Sequence, residues 1–84
     1  MSYQSLSDQA ERILADPEAF EAGFAEFCRN FSKGAPFAYV EVIGEVGVGG
    51  STWNSWSSGK SCPSYLISEM LIKLMLEVYS REAE

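Results

Sequence analysis

Apolar residues recur at helical spacing in three segments of the chain, two near its start and one near its end. The first segment predicts a short helix from Ser5 to Ala15 with a narrow apolar stripe. The second predicts a helix from about Pro17 to Ser32, because four phenylalanines fall on one of its faces. They are Phe20, Phe24, Phe27 and Phe31. Gly34 supplies a left-handed stop after this helix, since glycine adopts that conformation without a steric penalty.

The third segment predicts a helix that opens at residues 61–64 and ends near Arg81. Its polar stripe is narrow and includes Glu69 and Lys73, which stand in the favourable i, i+4 order for an ion pair. Its apolar arc covers more than half of the circumference, whereas a surface helix needs only roughly 100°. We therefore expect this helix to be covered on two sides, one by the rest of its own domain and the other by a second subunit if the protein dimerises.

Between these segments, the apolar residues of Phe37 to Val46 alternate with a period of two. Phe37 to Val46 is rich in β-branched and aromatic residues, which predicts a strand. Gly49-Gly50 predicts a two-residue turn, and Ser51 to Ser57 a weaker returning strand. The face expected to lie on the helices comprises Ala38, Val40, Val42 and Val46.

These elements predict an α+β fold in the order helix, helix, strand, strand, helix, with a two-stranded antiparallel hairpin packed on the helices. The 84 residues are expected to form one domain, 1–84. A hydrophobic content of 46% excludes a disordered chain. A two-stranded sheet is marginal by itself, so extension of the hairpin in a homodimer is an option.

The net charge of −6 disfavours direct binding to nucleic acid or to an anionic membrane, because phosphate contacts need a basic face. Six acids lie between Asp8 and Glu26, against the single base Arg12. Such a segment either steers a basic partner or simply keeps a helix face solvated. The chain opens without a secretory signal and has two cysteines, which predicts a cytoplasmic protein, in the host cytoplasm if a phage encodes it.

Two tryptophans in a Gly- and Ser-rich stretch, residues 44–61, are the strongest candidates for binding. A rigid ring on an adaptable polar loop suits an interface, where tryptophan is enriched among hot spots. The alternative is that both rings cover the hydrophobic core. The predicted partner-binding residues are Trp53, Trp56, Tyr39, Glu18, Glu21 and Glu26.

A second candidate site precedes the last helix, where free backbone N–H groups and the helix dipole favour anions. Its residues are Ser58, Gly59, Lys60 and Ser61. The stretch resembles a phosphate-binding P-loop, but Asn54 stands where that motif requires glycine, so we expect no NTPase activity. The competing interpretation is that Ser61 only caps the helix.

The sequence contains no histidine, which removes the commonest general base near neutral pH and the commonest metal ligand. Two separated cysteines do not form a zinc site, and we expect neither a metal nor a cofactor. Cys62, near a helix start and Lys60, could have a lowered pKa and act as a nucleophile. Cys28, beside the phenylalanines, is expected to be a small buried hydrophobe.

These features favour a non-enzymatic interaction protein, an acidic inhibitor or adaptor that docks on a larger, basic protein of nucleic-acid handling. In size and charge alone, the chain is similar to phage anti-defence proteins such as anti-CRISPRs, without any motif that identifies a family. Two alternatives stay open. One is a homodimeric protein that binds a small molecule or anion at the start of the last helix, and the other is a thiol enzyme that uses Cys62.

Overall fold

The structure is a computed structural model, and it describes residues 2–82 of the chain. Five helices and the connections between them form these residues. The helices are α1 (Tyr3–Leu14), α2 (Phe20–Gly34), α3 (Ala38–Val46), α4 (Gly50–Ser58) and α5 (Tyr65–Glu82). These residues contain no strand, so the predicted α+β fold with its two-stranded hairpin is wrong.

The three helices predicted from helical spacing are present, with ends shifted by a few residues. α1 begins two residues earlier than predicted because the Ser2 hydroxyl accepts the Ser5 amide at 3.2 Å and caps the helix. α5 begins after Ser64, whose hydroxyl accepts the Ile67 amide at 3.4 Å. Gly34 does not form the predicted left-handed stop, since it lies inside α2 and its φ is not positive.

The predicted hairpin is replaced by two short helices, because its glycines end and begin helices rather than form a turn. Gly47 and Gly59 are left-handed, with φ of 76° and 81°. Beyond Gly59, the Lys60 amide donates to the Ser55 carbonyl at 2.9 Å, a bond typical of a glycine-terminated helix. Gly50, predicted to lie in the turn, is the first residue of α4.

The burial pattern of α3 and α4 explains why a period of two was misleading. Ala38 and Val42, four residues apart, are both buried, whereas Val40 between them is 54% exposed. Alternation would place all three on one face, and a helix separates Val40 from the others. Over a run this short, apolar residues satisfy both periods, so the period alone does not distinguish strand from helix.

The centre of the fold is α2, which packs against the other four helices. Its predicted phenylalanine face is confirmed as core, with Phe24, Phe27 and Phe31 fully buried. The opposite wall comes mainly from α5, through Leu71, Ile72, Met75 and Val78. One hydrophobic cluster therefore joins all five helices.

A buried amide sets the position of α1 on α2. The Gln9 side chain donates from Nε2 to Glu26 at 2.9 Å and accepts from Asn30 Nδ2 at 3.0 Å. The Tyr65 hydroxyl donates to the Leu14 carbonyl at 2.5 Å, which joins the end of α1 to α5. Within residues 2–82, every buried side-chain nitrogen and oxygen has a hydrogen-bond partner. This satisfaction matters because an unpaired buried polar group costs roughly 1–3 kcal/mol.

Charged side chains interrupt the outer surface of α5. Lys73 Nζ lies 3.9 Å from Glu69 Oε2, which confirms the predicted i, i+4 pair. Arg81 Nη2 lies 3.1 Å from Glu41 Oε1 on α3. Both pairs are solvent-exposed, so each contributes at most about 1 kcal/mol. Across residues 2–82, no helix is both long enough and apolar enough to cross a membrane.

The substitution Gly44→Ala tests whether residue 44 lies inside the helix formed by residues 38–46. Gly44 is exposed, and a Cβ added there meets no atom within 4 Å. Alanine is favoured over glycine by about 0.5–1 kcal/mol in a helix interior, so we expect a rise of that size in the free energy of unfolding. Urea denaturation followed by circular dichroism measures it.

The control is Gly47→Ala at the left-handed end of the same helix, where alanine is strained and should destabilise the protein. An unchanged or lower midpoint for Gly44→Ala would contradict the helix.

Candidate functional site

Both tryptophans lie in the core, on the face of α4 that packs against α2. Trp53 is 3% exposed and Trp56 is 7% exposed. The ring centroid of Trp53 lies 5.9 Å from that of Phe31, and the centroid of Trp56 lies 6.0 Å from that of Phe24, both edge-to-face. Such aromatic pairs contribute about 0.5–1.5 kcal/mol beyond their buried area. The indoles therefore cover the core, as the alternative interpretation held, and do not project as interface anchors.

The remaining predicted partner-binding residues do not join the tryptophans on an exposed surface. Tyr39 is half-buried on α3, and its ring stacks on Trp53 with centroids 5.7 Å apart and planes 22° apart. Glu18 is exposed in the connection between α1 and α2, and Glu21 is exposed at the start of α2. Glu26 is exposed but engages Gln9 of α1. The acids thus belong to the α1–α2 side of the molecule, and the aromatic rings belong to its interior.

The predicted anion-binding residues lie at the C-terminal end of α4, whose dipole favours cations rather than anions. These residues are Ser58, Gly59, Lys60 and Ser61. The amides of Lys60 and Ser61 donate to the Ser55 carbonyl at 2.9 and 3.3 Å, so they are not free to hold a ligand. Ser64, rather than Ser61, caps α5. The Glu21 carboxylate lines the same hollow as Lys60, which further disfavours an anion there.

The two thiols are held in their protonated form. Burial, together with the nearby Cys62, raises the pKa of the Cys28 thiol to about 12. Burial also raises the pKa of the Cys62 thiol, and the Glu21 carboxylate adds to this against an opposing hydrogen bond with Ser68. The predicted lowering of the Cys62 pKa is therefore wrong. Because the thiolate is the nucleophilic form, this position lacks the activation that thiol catalysis needs.

The most distinctive surface feature is an apolar groove between α5 and the connection from α3 to α4. Its volume is about 490 Å³. The groove is lined by Glu45, Val46, Val48, Trp56, Ile67, Met70, Leu71 and Leu74. All of these side chains except Glu45 are apolar, so the groove offers hydrophobic contact with a single charged group at its wall.

Three of the apolar side chains that line the groove are exposed, namely Val46, Ile67 and Met70. Met70 is 64% exposed and Ile67 is 47% exposed, and the adjacent Leu66 is also exposed. A single exposed apolar side chain is ordinary, but a contiguous patch marks an interaction site. Leu71 and Trp56, in contrast, are buried and join the groove to the core. The groove therefore has a rigid base and an exposed apolar wall.

One carboxylate lines the groove, and another lies farther along the same side of α5. Glu45 lines the groove from α3. Glu77 on α5 is exposed and follows Met70 by seven residues, which places it on the same side of the helix. Lys73 is paired with Glu69 and so does not offset these two acids. The charged side chain that lines the groove is therefore negative, in keeping with the net charge of −6.

Sequence patterns indicated the α5 wall of the groove as extra apolar surface but did not name it as a site. The wide apolar arc of α5 contains Ile67, Met70 and Leu74, and it correctly indicated a second apolar side on that helix. Val46 and Val48 were missed as site residues because they were assigned to a strand and to the loop after it. Their placement beside α5 depends on α3 ending at Gly47, whose left-handed conformation turns the chain.

No protein-family model matches the chain, and comparisons with curated proteins and with solved structures gave no match. Among residues 2–82, no three side chains of His, Cys, Asp or Glu lie close enough together to hold a metal ion. The function of the groove is therefore interpreted from its own chemistry.

Proposed function

We propose that this protein is a non-enzymatic interaction protein, an inhibitor or adaptor that docks on a larger, basic protein through the groove beside α5. The observation that carries the proposal is the contiguous apolar wall at Ile67 and Met70, which the fold leaves in contact with water. Burial of apolar area is worth about 25 cal/mol per Å², so covering this wall favours association.

The character of the partner follows from charge. The protein carries a net charge of −6, and the charged residue that lines the groove is Glu45. Complementary charge accelerates encounter and disfavours acidic partners. A basic protein that handles nucleic acid fits this surface. The proposed compartment is the cytoplasm, of the host if a phage encodes the protein, where the free thiols of Cys28 and Cys62 would stay reduced.

The test compares two double variants of equal chemistry. Ile67→Ser with Met70→Ser removes the apolar wall of the groove. Phe37→Ser with Val40→Ser removes two exposed apolar side chains from around the start of α3, outside the groove. Each protein is immobilised, and proteins captured from the native cells are quantified by mass spectrometry.

We expect a basic protein that wild type and the Phe37/Val40 variant capture equally, and that the groove variant captures at least about tenfold less, or about 1.4 kcal/mol. Titration calorimetry with that purified protein then measures the same difference in affinity directly. Equal capture by all three proteins would show that the groove is not the docking surface.

A further inference from the structure

We infer that the groove receives an amphipathic α-helix of the partner, with apolar residues on one face and Lys or Arg beside them. This inference rests on the proposed function and names the structural element that occupies its site. It follows from three properties of the groove. They are its lack of hydrogen-bond partners for a peptide backbone, its shape and its charge.

The polar backbone groups of an extended peptide would find few hydrogen-bond partners in this groove. An extended peptide must find partners for its N–H and C=O groups, and it usually finds them at the edge of a sheet. Residues 2–82 contain no strand, and every residue that lines the groove except Glu45 is apolar. An extended chain placed there would leave its polar backbone groups unpaired against hydrocarbon, at a cost of roughly 1–3 kcal/mol for each group. A helix satisfies these groups internally.

The shape of the groove also suits a helix. Along α5 the wall is formed by Ile67, Met70 and Leu74, which follow the i, i+3, i+7 spacing of one helix face. That spacing spans two turns, or about 10 Å, the distance between the anchor residues of an amphipathic helix. Met70, the most exposed of the three, is flexible and adapts to the side chains of a partner.

Charge distinguishes a basic helix from a second copy of this chain. Glu45 lines the groove, and a second copy docked groove to groove would bring the same acid against it. The chain is also about as compact as a folded monomer of its mass. The accessible surface of 4840 Å² is close to the value of about 5,000 Å² expected for a folded monomer of this mass. Lys and Arg on the flank of a partner helix would instead pair with Glu45.

The probe for this inference is a fluorescein-labelled helical peptide of about 15 residues, with leucines on one face and lysines on the other. One comparison peptide has glutamate in place of every lysine, and another has the same composition in scrambled order. Fluorescence anisotropy measures binding to the intact protein at about 0.15 M salt. We expect the leucine–lysine helix to bind at least about tenfold more tightly than either comparison peptide.

Two variants of equal charge separate groove binding from general attraction to an acidic protein. The double substitution Ile67→Lys with Met70→Lys should lower the affinity for the leucine–lysine peptide at least about tenfold. The double substitution Phe37→Lys with Val40→Lys adds the same charge outside the groove. It should lower the affinity for the same peptide about twofold or less. Circular dichroism verifies folding. If the groove variant unfolds, Glu45→Lys at the exposed rim takes its place, with an expected loss of about fivefold.

Three results would overturn the inference. The first is that the glutamate or the scrambled peptide binds as tightly as the leucine–lysine peptide. The second is that both charge-matched variants lower the affinity for the leucine–lysine peptide equally. The third is sedimentation that shows a wild-type dimer and a monomeric groove variant, which makes a second copy the occupant. If the peptide fails while capture of a cell protein still depends on the groove, only this inference fails. If capture does not depend on the groove, the proposed function fails as well.

Discussion

Replacement of Trp53 by alanine is expected to lower the free energy of unfolding by about 3–5 kcal/mol. Its indole is buried and contacts the rings of Phe31, Tyr39 and Trp56, with centroids 5.9, 5.7 and 6.3 Å away. Alanine would leave a cavity where α2, α3 and α4 meet, and a close-packed interior collapses only partly to fill it. For 84 residues, a typical total stability is about 4–13 kcal/mol, so the loss is a large fraction of the whole.

The matched control for Trp53→Ala is Phe37→Ala, because Phe37 is also aromatic but is 83% exposed. Its removal should change the free energy of unfolding by no more than about 0.5 kcal/mol. Urea denaturation monitored by far-ultraviolet circular dichroism measures both variants. If Trp53→Ala costs no more than Phe37→Ala, the indole is not a core residue, and the earlier interpretation of Trp53 as an exposed anchor returns.

Replacement of Gly34 by alanine is expected to destabilise the protein by about 1–3 kcal/mol. A Cβ at this position would lie 2.5 Å from Cε2 and 2.7 Å from Cζ of Tyr79. The Tyr79 ring is buried on α5 and packs on Phe31 with centroids 6.0 Å apart. A rigid ring in this position cannot yield without moving α5 relative to α2. The effect is opposite in sign to Gly44→Ala, although both glycines lie within helices.

The cause of the Gly34 effect is tested by a double-mutant cycle with Tyr79→Ala. If the ring is what alanine meets, Gly34→Ala should cost much less in the Tyr79→Ala background, with a coupling of about 1 kcal/mol or more. Thermal or urea denaturation of the four proteins provides the values. Strict additivity, or a stabilisation by Gly34→Ala equal to that of Gly44→Ala, would contradict the close approach of α2 and α5.

The prediction of the fold succeeded where an apolar stripe extends over several turns. Phe20, Phe24, Phe27 and Phe31 repeat over three turns of α2, and only a helix places them all on one face. The prediction failed at α3 and α4, which are nine residues each. There, Ala38 and Val42 share one face in an alternating strand as well as in a helix, and the nearby glycines suit a hairpin as well as two helix ends.

The candidate site was recognised from sequence only as a helix with too much apolar surface. The arc on α5 indicates that something covers a second side, but no local pattern shows how much of it the chain itself covers. The structure shows that α1, α2 and α3 pack on α5 and leave Ile67 and Met70 exposed. For Trp53 and Trp56 the error was the reverse, because the polar residues around them predicted an exposed position and both rings are buried. In a helix, residues three apart share one face, so both rings turn inward.

The sequence by itself determined three of the helices, the phenylalanine core and the acidic charge, because periodicity and composition are properties of the chain alone. Only the tertiary structure decided whether residues 38–58 pair as strands or pack as helices, since that depends on the surfaces that α2 and α5 offer. It alone also decided which apolar side chains remain in water. Burial is a property of the whole assembly of helices, and the groove exists only where α3, α4 and α5 meet without closing.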